Sequence, residues 1–219
     1  MKTIVITSQK GGSGKTTLTA HLAVEAGRSG AGPVCVIDMD KQATLSRWHD
    51  RREEDSPERA PFPFHQLAAG LAKQKHQGTA ICFIDTAPTI SDQSSELQRL
   101  ADLVLIPVRP SPADLWAVAE TVRLVKQVGK PFLFIMTQAK AHANITAQTV
   151  AALSGHGRIA QSFIADRVAY AVAMTGGRTA PELAPKGAAA DEIAALWTEV
   201  QSCIPRTRAA VLEEEVTHG

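Results

Sequence analysis

The 219-residue chain has few aromatic side chains, few cysteines and almost no net charge. Aromatics make up 5% of the residues and the formal net charge is +1 at pH 7, so any contact with nucleic acid must come from a local basic patch. Cys35, Cys82 and Cys203 show no metal-binding or redox spacing. Because Cys35 and Cys82 lie inside apolar runs, we expect small buried thiols in a reducing cytoplasm.

The sequence also lacks a long apolar run. No stretch approaches the roughly 20 apolar residues of a membrane helix, and the start, MKTIVITSQK, has neither the long apolar core nor the cleavage site of a signal peptide. We therefore predict a cytoplasmic protein with no membrane partner. The length suits one domain, predicted over residues 1–204, with a frayed tail at 205–219.

Short apolar, β-branched runs alternate with helical patterns along the chain. Strands are predicted at residues 3–7, 34–38, 80–85, 103–108 and 131–137, with a weak one near 159–164. Helices are predicted at about 15–29, 43–54, 64–76, 112–128, 145–153 and 188–203. Strands that are apolar on both faces indicate a parallel sheet covered by helices on each side. The predicted fold is thus α/β, a doubly wound, mostly parallel sheet, with residues 53–64 as a polar connector inside the domain.

A glycine-rich loop, TSQKGGSGKTT at residues 7–17, separates the first strand from the first helix. In that position, glycines let backbone N–H groups surround a phosphate at the positive end of a helix. We expect Lys15 to reach the β- and γ-phosphates, the Thr16 hydroxyl to bind Mg²⁺ and Thr17 to approach the α-phosphate. The predicted nucleotide contacts in this loop are Gly11, Gly12, Ser13, Gly14, Lys15, Thr16 and Thr17.

The loop differs from the ordinary Walker A pattern because it has Gln9 where that pattern has glycine, and because it carries a second lysine, Lys10. KGGSGKTT resembles the deviant Walker A motif of the ParA/MinD ATPases. The resemblance implies an ATPase with ATP and Mg²⁺ as cofactors and slow intrinsic turnover. It also implies that Lys10 reaches across an ATP-dependent homodimer to the partner's phosphates, the alternative being a solvated surface lysine.

Acidic residues follow the second and third of these strands. Asp38 and Asp40 lie in VIDMDKQATLSRW, which resembles the family's switch I motif with Lys41 in place of proline. The resemblance implies that Asp40 orients or deprotonates the attacking water and that Asp38 supports the Mg²⁺ shell. Asp85 ends an apolar run, as in a Walker B strand whose carboxylate holds Mg²⁺ through water. Solvated loop aspartates, or a simple strand cap for Asp85, are the alternatives.

The resemblance continues to about residue 196, and it matches short ParA proteins of plasmid partition. DTAP at residues 85–88 resembles switch II, and the resemblance implies that the following loop, near residues 86–95, senses the γ-phosphate. Residues 101–116 resemble a stretch that contributes to self-association in those relatives, although packing alone would also explain Trp116. Gln138, Ala165 and Asp166 are expected to frame the adenine base.

These features favour a DNA partition ATPase that acts as an ATP-dependent homodimer on nonspecific DNA and is stimulated by a small centromere-binding partner protein. We expect it to be associated with the nucleoid in its ATP state. The predicted DNA contacts, which could equally be a solvated basic face, are Arg158, Arg178, Lys186, Arg206 and Arg208. Two other functions stay open: a MinD-like membrane-cycling ATPase, disfavoured by the acidic tail LEEEVTHG, and a metabolic P-loop kinase or synthetase.

Overall fold

The computed structural model describes residues 1–88, 92–140 and 143–205. Its centre is a six-stranded sheet with the order β3-β2-β4-β1-β5-β6, and every pairing between these strands is parallel. The strands are β1 (Lys2–Ile6), β2 (Val34–Met39), β3 (Glu58–Arg59), β4 (Ile81–Thr86), β5 (Leu103–Val108) and β6 (Phe132–Met136). This sheet confirms the predicted fold class.

Helices cover both faces of the sheet. They are α1 (Lys15–Arg28), α2 (Thr44–His49), α3 (Leu67–His76), α4 (Asp92–Arg99), α5 (Pro112–Gln127), α6 (Asn144–Ser154), α7 (Val168–Thr175), α8 (Ala180–Leu183) and α9 (Ala188–Cys203). The α9 helix has the predicted bounds, whereas α2 is shorter than predicted. Three helices (α4, α7 and α8) and the edge strand β3, which lies in the predicted connector, were not expected.

The predicted weak strand at residues 159–164 is wrong as a continuous strand. The segment touches β6 and the residues after it through two isolated bridges, Phe134 with Ile159 and Ala139 with Ala165. Between these bridges, the backbone N–H groups of Gln161 and Ser162 donate to the Glu199 carboxylate on α9. Because a side chain takes the bonds that a sheet ladder would use, the segment leaves the sheet and returns to it near the site described below.

Two apolar layers form the core, one on each face of the sheet. Ile4 and Ile6 of β1 point into the layer beneath α1 and α9, while Val5 between them points into the layer beneath α3 and α5. This alternation explains why the strands are apolar at every position. Cys35 and Cys82 are fully buried in the second layer, which confirms their prediction as buried thiols.

All the parallel strands end at the same edge of the sheet, where ligands bind in folds of this kind. The loops after β1, β2, β4, β5 and β6 therefore converge there. Within the described residues, no helix is long and apolar enough to cross a membrane.

Candidate nucleotide-binding site

The glycine loop connects β1 directly to the N-terminus of α1, as predicted. Gly12 and Gly14 have φ angles of 73° and 93°, in the left-handed region that side chains other than glycine rarely adopt. Gly14 is the residue that caps α1, and Lys15 is the first helical residue. The loop thus turns sharply at the positive end of a helix, the usual arrangement for binding phosphate.

Lys15 lies folded over this loop. Its side chain is buried, and its Nζ donates to the carbonyl oxygens of Ser8 at 3.1 Å and Lys10 at 3.2 Å. Burial lowers the pKa of Lys15, while the nearby carboxylates of Asp85 and Asp40 oppose that shift. The ammonium is therefore placed where a polyanion would relieve its desolvation.

Thr16 and Asp85 form the part of the site that fits a magnesium ion. Thr16 Oγ1 donates to Asp85 Oδ2 at 2.6 Å, while Asp85 Oδ1 is buried and has no hydrogen-bond partner in the described part of the chain. Burial is the main reason that the pKa of Asp85 rises to about 7, and the hydrogen bond from Thr16 opposes it. Asp38 lies directly opposite Asp85 in the β2–β4 register. Hard oxygen ligands suit Mg²⁺, so Thr16, Asp85 and Asp38 would hold it.

Asp38 also organises the loop that follows β2. Its two carboxylate oxygens accept from the backbone N–H groups of Asp40 at 3.0 Å and Ser46 at 2.8 Å, and Asp40 accepts from Gln42 N–H at 2.9 Å. Ala43, just before α2, has a φ of 52°. These bonds stabilise the loop predicted to be switch I, in which Lys41 stands where the resembled motif has proline. Asp40 keeps its second carboxylate oxygen at the half-buried edge of the site.

Lys10 differs from Lys15 in its surroundings. Its backbone N–H donates to Ser8 Oγ, and its carbonyl accepts from Lys15. Its side chain is half-buried, and no hydrogen bond or ion pair of its ammonium occurs among the described residues. Lys10 therefore lies beside the phosphate loop with its ammonium unpaired among the described residues, while its backbone takes part in the loop's hydrogen bonds.

A cavity of about 190 Å³ opens beside Gly14 and Thr17. Gln138, Ala165 and Asp166, the three residues expected near the base, all line it. Gln138 has a φ of 50°, and its Nε2 donates to Gly12 O at 3.0 Å. The structure thus brings the predicted base-framing residues to the phosphate loop. The cavity is also lined by Arg167, which belongs to the same expected loop as Ala165 and Asp166, and by His21, Tyr170 and Ile193, which the sequence did not indicate.

Arg109, after β5, was not predicted to belong to the site. Its Nε and one terminal nitrogen bind the Asp114 carboxylate at 3.1 and 3.0 Å, and that nitrogen also lies 3.4 Å from Gly11 O. Burial alone would raise the pKa of Asp114, but hydrogen bonds from Arg109 and Ser111 hold it below its usual value. The sequence did contain a signal for Arg109: it is a charged residue at the end of an apolar strand, as Asp38 and Asp85 are.

The predicted DNA contacts lie on separate segments. Arg158 precedes the first bridge to β6, Arg178 precedes α8 and pairs with Glu53 at 3.2 Å, and Lys186 lies before α9. All three are exposed. Arg206 and Arg208 lie outside the described residues, as does most of the predicted frayed tail.

Trp116, in the stretch expected to contribute to self-association, is 79% exposed on α5. Because so much of the ring is exposed, packing within one copy does not explain Trp116. Residues 89–91 of the predicted switch II loop lie outside the description. Self-association through α5 stays a prediction.

Comparisons with known proteins agree with this site. Residues 4–180 match the family model described as the CobQ/CobB/MinD/ParA nucleotide binding domain. The "Maintenance of carboxysome distribution protein A" of Halothiobacillus neapolitanus is 28% identical over 213 residues, covering 90% of this chain and 95% of that protein. "Protein ParA" of Rhizobium radiobacter is 30% identical over 130 residues, covering 58% of this chain and 57% of that protein.

Among solved structures, the MinC:MinD cell division protein complex of Aquifex aeolicus superposes with a TM-score of 0.77 and 20% identity, covering 95% of this chain and 99% of that one. This likeness confirms the fold. The chain belongs to the CobQ/CobB/MinD/ParA family of nucleotide-binding domains, because the family model spans most of its length. It is a ParA/MinD-type ATPase whose cofactors are ATP and Mg²⁺.

Proposed function

We propose that the protein is a partition ATPase of the ParA type. Mg²⁺ and ATP bring two copies together, the dimer binds DNA without sequence preference, and a small centromere-binding partner stimulates an otherwise slow hydrolysis. The protein would then be cytoplasmic, and associated with the nucleoid in its ATP state. The cargo would be a plasmid or another DNA that carries the partner's binding site.

The arrangement of the two lysines carries this proposal. Lys15 is buried against its own loop, whereas the ammonium of Lys10 is half-buried at the same edge and has no partner among the described residues. Lys10 is thus available to a nucleotide bound by a second copy. A cation delivered only on dimerisation couples association to the triphosphate, because transition-state charge on the phosphoryl oxygens needs such donors.

Hydrolysis would use the residues around this loop. Asp40 would orient the attacking water with Oδ2, which accepts no hydrogen bond from the described residues, and Lys15 would compensate charge on the transferred phosphoryl group. Bound Mg²⁺ would neutralise phosphate charge at the position of Thr16 and Asp85. A water oriented by a half-buried carboxylate would be consistent with slow intrinsic turnover.

DNA binding needs two copies because one copy is nearly neutral. Each copy would offer the exposed Arg158, Arg178 and Lys186, together with Arg206 and Arg208. A dimer doubles these contacts, and roughly four to eight phosphate contacts would give a steep dependence on salt and no preference for base sequence.

The relative from Halothiobacillus neapolitanus, which aligns over 95% of its own length, suggests a second candidate function. That protein is named for the maintenance of carboxysome distribution, and it aligns with 90% of this chain. The same ATPase could accordingly position a protein assembly on the nucleoid instead of a plasmid. The partner distinguishes the two: for partition, a partner that stimulates hydrolysis should also bind a specific DNA site.

The test is a titration of nonspecific DNA with ATP, ADP or no nucleotide across a salt series. We expect binding only with ATP, stronger binding for Asp40→Ala, and loss of binding for Lys10→Ala. Lys75→Ala is the matched control, because it removes an exposed lysine at the end of α3, away from the loop and from α5. Equal binding in all three nucleotide states, or none with ATP at low salt, would exclude DNA as the partner.

A further inference from the structure

One carboxylate on α9 holds three points of the segment that forms a wall of the base cavity. Glu192 Oε2 accepts from the backbone N–H of Ala165 at 3.1 Å and from the Tyr170 hydroxyl at 2.7 Å. Its other oxygen accepts from Arg167 Nε at 2.8 Å and pairs with the Arg167 guanidinium at 2.6 Å. Each of the three donors belongs to a residue that lines the cavity.

The segment bound by Glu192 is also held near its two ends, where Asp166 N–H donates to Ala139 O at 3.0 Å and the Tyr170 ring packs against His21. It begins where the chain leaves its second bridge to the residues after β6, at Ala165, and it ends in the first turn of α7. Burial, then the hydrogen bond to Glu192, raises the pKa of Tyr170, so its hydroxyl stays protonated and donates. Glu192 thus adds the bonds that fix this wall to α9.

The helix that carries this carboxylate also connects the wall to α1, which begins at the phosphate loop. Ile193, the next residue of α9, is buried and also lines the cavity, and α9 packs along α1, which begins at the phosphate loop. Tyr170 in turn meets the ring of His21 on α1, edge to face, with centroids 5.1 Å apart. The distance between the base wall and the phosphate loop is therefore set both through α9 and by the direct contact of Tyr170 with His21.

We propose that Glu192 is a positioning residue for the nucleotide base: it holds residues 165–170 at the spacing from α1 that an adenine base requires. The inference rests on the proposed nucleotide site and deepens it. It predicts that Glu192 contributes to binding only when the ligand carries a base, because it has no part in the phosphate loop.

The experiment compares ATP with inorganic tripolyphosphate, each with Mg²⁺, in the wild-type protein and in Glu192→Gln. We expect ATP affinity to fall about tenfold, the scale of one lost charge-assisted hydrogen bond that orders a binding loop, while tripolyphosphate affinity stays unchanged. In turnover, the KM for ATP should rise with little change in kcat. Tyr170→Phe, which keeps the ring and removes one of the three bonds, should give a smaller loss in the same direction.

Glu199→Gln is the matched control. Glu199 lies on the same helix and likewise accepts two backbone N–H bonds, from Gln161 and Ser162, but none of these residues lines the cavity. We expect it to alter thermal stability without changing the ratio of ATP to tripolyphosphate affinity.

An unchanged ATP affinity in both Glu192→Gln and Tyr170→Phe would overturn the inference. So would an equal loss of ATP and tripolyphosphate, since that would indicate a general structural defect. Failure of the wild-type protein to bind ATP at all would instead contradict the proposed function, and the inference with it.

Discussion

His21 makes the stability of the protein depend on pH in a defined direction. It is fully buried in α1, where its Nδ1–H donates to Thr17 O at 2.8 Å and its Nε2 accepts from the backbone N–H of Ala180 at 3.0 Å. A protonated ring would lose the second bond, because Nε2 would then carry a proton of its own. Burial is the main cause that lowers the pKa of His21 from 6.5 to about 4.

The magnitude follows from linkage between folding and protonation. The unfolded chain takes up this proton near pH 6.5 and the folded chain only near pH 4, so the stabilising contribution is complete above pH 6.5 and is lost as the pH falls toward 4. At about 1.4 kcal/mol per pKa unit, the shift corresponds to roughly 3 kcal/mol in all, of which about 2 kcal/mol is lost by pH 5. The raised pKa of Asp85 acts in the opposite direction, since it adds stability as the pH falls below about 7.

A comparison of the wild type with His21→Gln separates the effect of His21 on stability from that of Asp85. The variant should be less stable than the wild type at pH 7.5 in urea unfolding, and the gap should shrink by about 2 kcal/mol at pH 5, because only the wild type loses the His21 contribution. Asp85 is present in both proteins, so its effect cancels.

Two results would refute this reasoning. One is a gap between the wild type and His21→Gln that stays constant from pH 7.5 to 5. The other is an NMR titration in which all seven histidines have pKa values near 6.5, because the geometry requires one that titrates far lower.

Two further predictions concern the phosphate loop and the contact between α2 and α7. Lys15→Ala should abolish ATP binding in calorimetry, because a triphosphate would lose its buried counter-charge, whereas Lys126→Ala should bind normally; undiminished affinity in Lys15→Ala would contradict the site. Gly177→Ala should destabilise the protein by at least about 2 kcal/mol more than Gly78→Ala. Both glycines have positive φ, but an added Cβ would lie 2.5 Å from the Arg51 backbone at Gly177 and would meet nothing within 4 Å at Gly78. Equal urea midpoints for the two variants would show that this contact relaxes without cost.

The parts of the fold that are local in sequence could be predicted. Apolar strands, the glycine loop and the helical period of α9 each result from neighbouring residues, and the structure has them where they were expected. The exception at residues 159–164 has a physical cause, since Glu199 lies almost 40 positions away and takes the backbone bonds of Gln161 and Ser162. No local pattern could reveal that competition.

The site divides in the same way. Asp38 and Asp85 were recognisable because each ends an apolar strand, and the resemblance to a known motif supplied their roles. Arg109 also follows an apolar strand, but its place in the site depends on the order of the strands in the sheet. Because β5 lies beside β1, the end of β5 faces the phosphate loop. The positioning role proposed for Glu192 could be inferred only from the tertiary contact between α9 and the base wall.

The phosphate loop shows how these distant residues act together on one segment. Side chains after β5 and β6 donate to three successive carbonyl oxygens of the loop. The pairs are Arg109 with Gly11, Gln138 with Gly12 and Thr137 with Ser13, at 3.4, 3.0 and 2.8 Å. Because the carbonyls are held by these donors, the N–H groups of the same peptides are directed to the opposite side, where they can form an anion-binding concavity.

Lys15 completes that arrangement, since its Nζ contacts the carbonyls of Ser8 and Lys10. These two bonds are the ones that a triphosphate would have to replace, whereas the three outer bonds can remain. Binding should therefore reorient one lysine on a loop that already has its shape, and little conformational entropy would be lost. When Lys15 turns to the phosphates, the Lys10 carbonyl would lose its hydrogen bond. The backbone of Lys10 would then be less restrained, and the side chain of this same residue is the one proposed to reach the second copy. Under the proposed function, nucleotide binding and dimerisation would thus be connected through the Lys10 carbonyl.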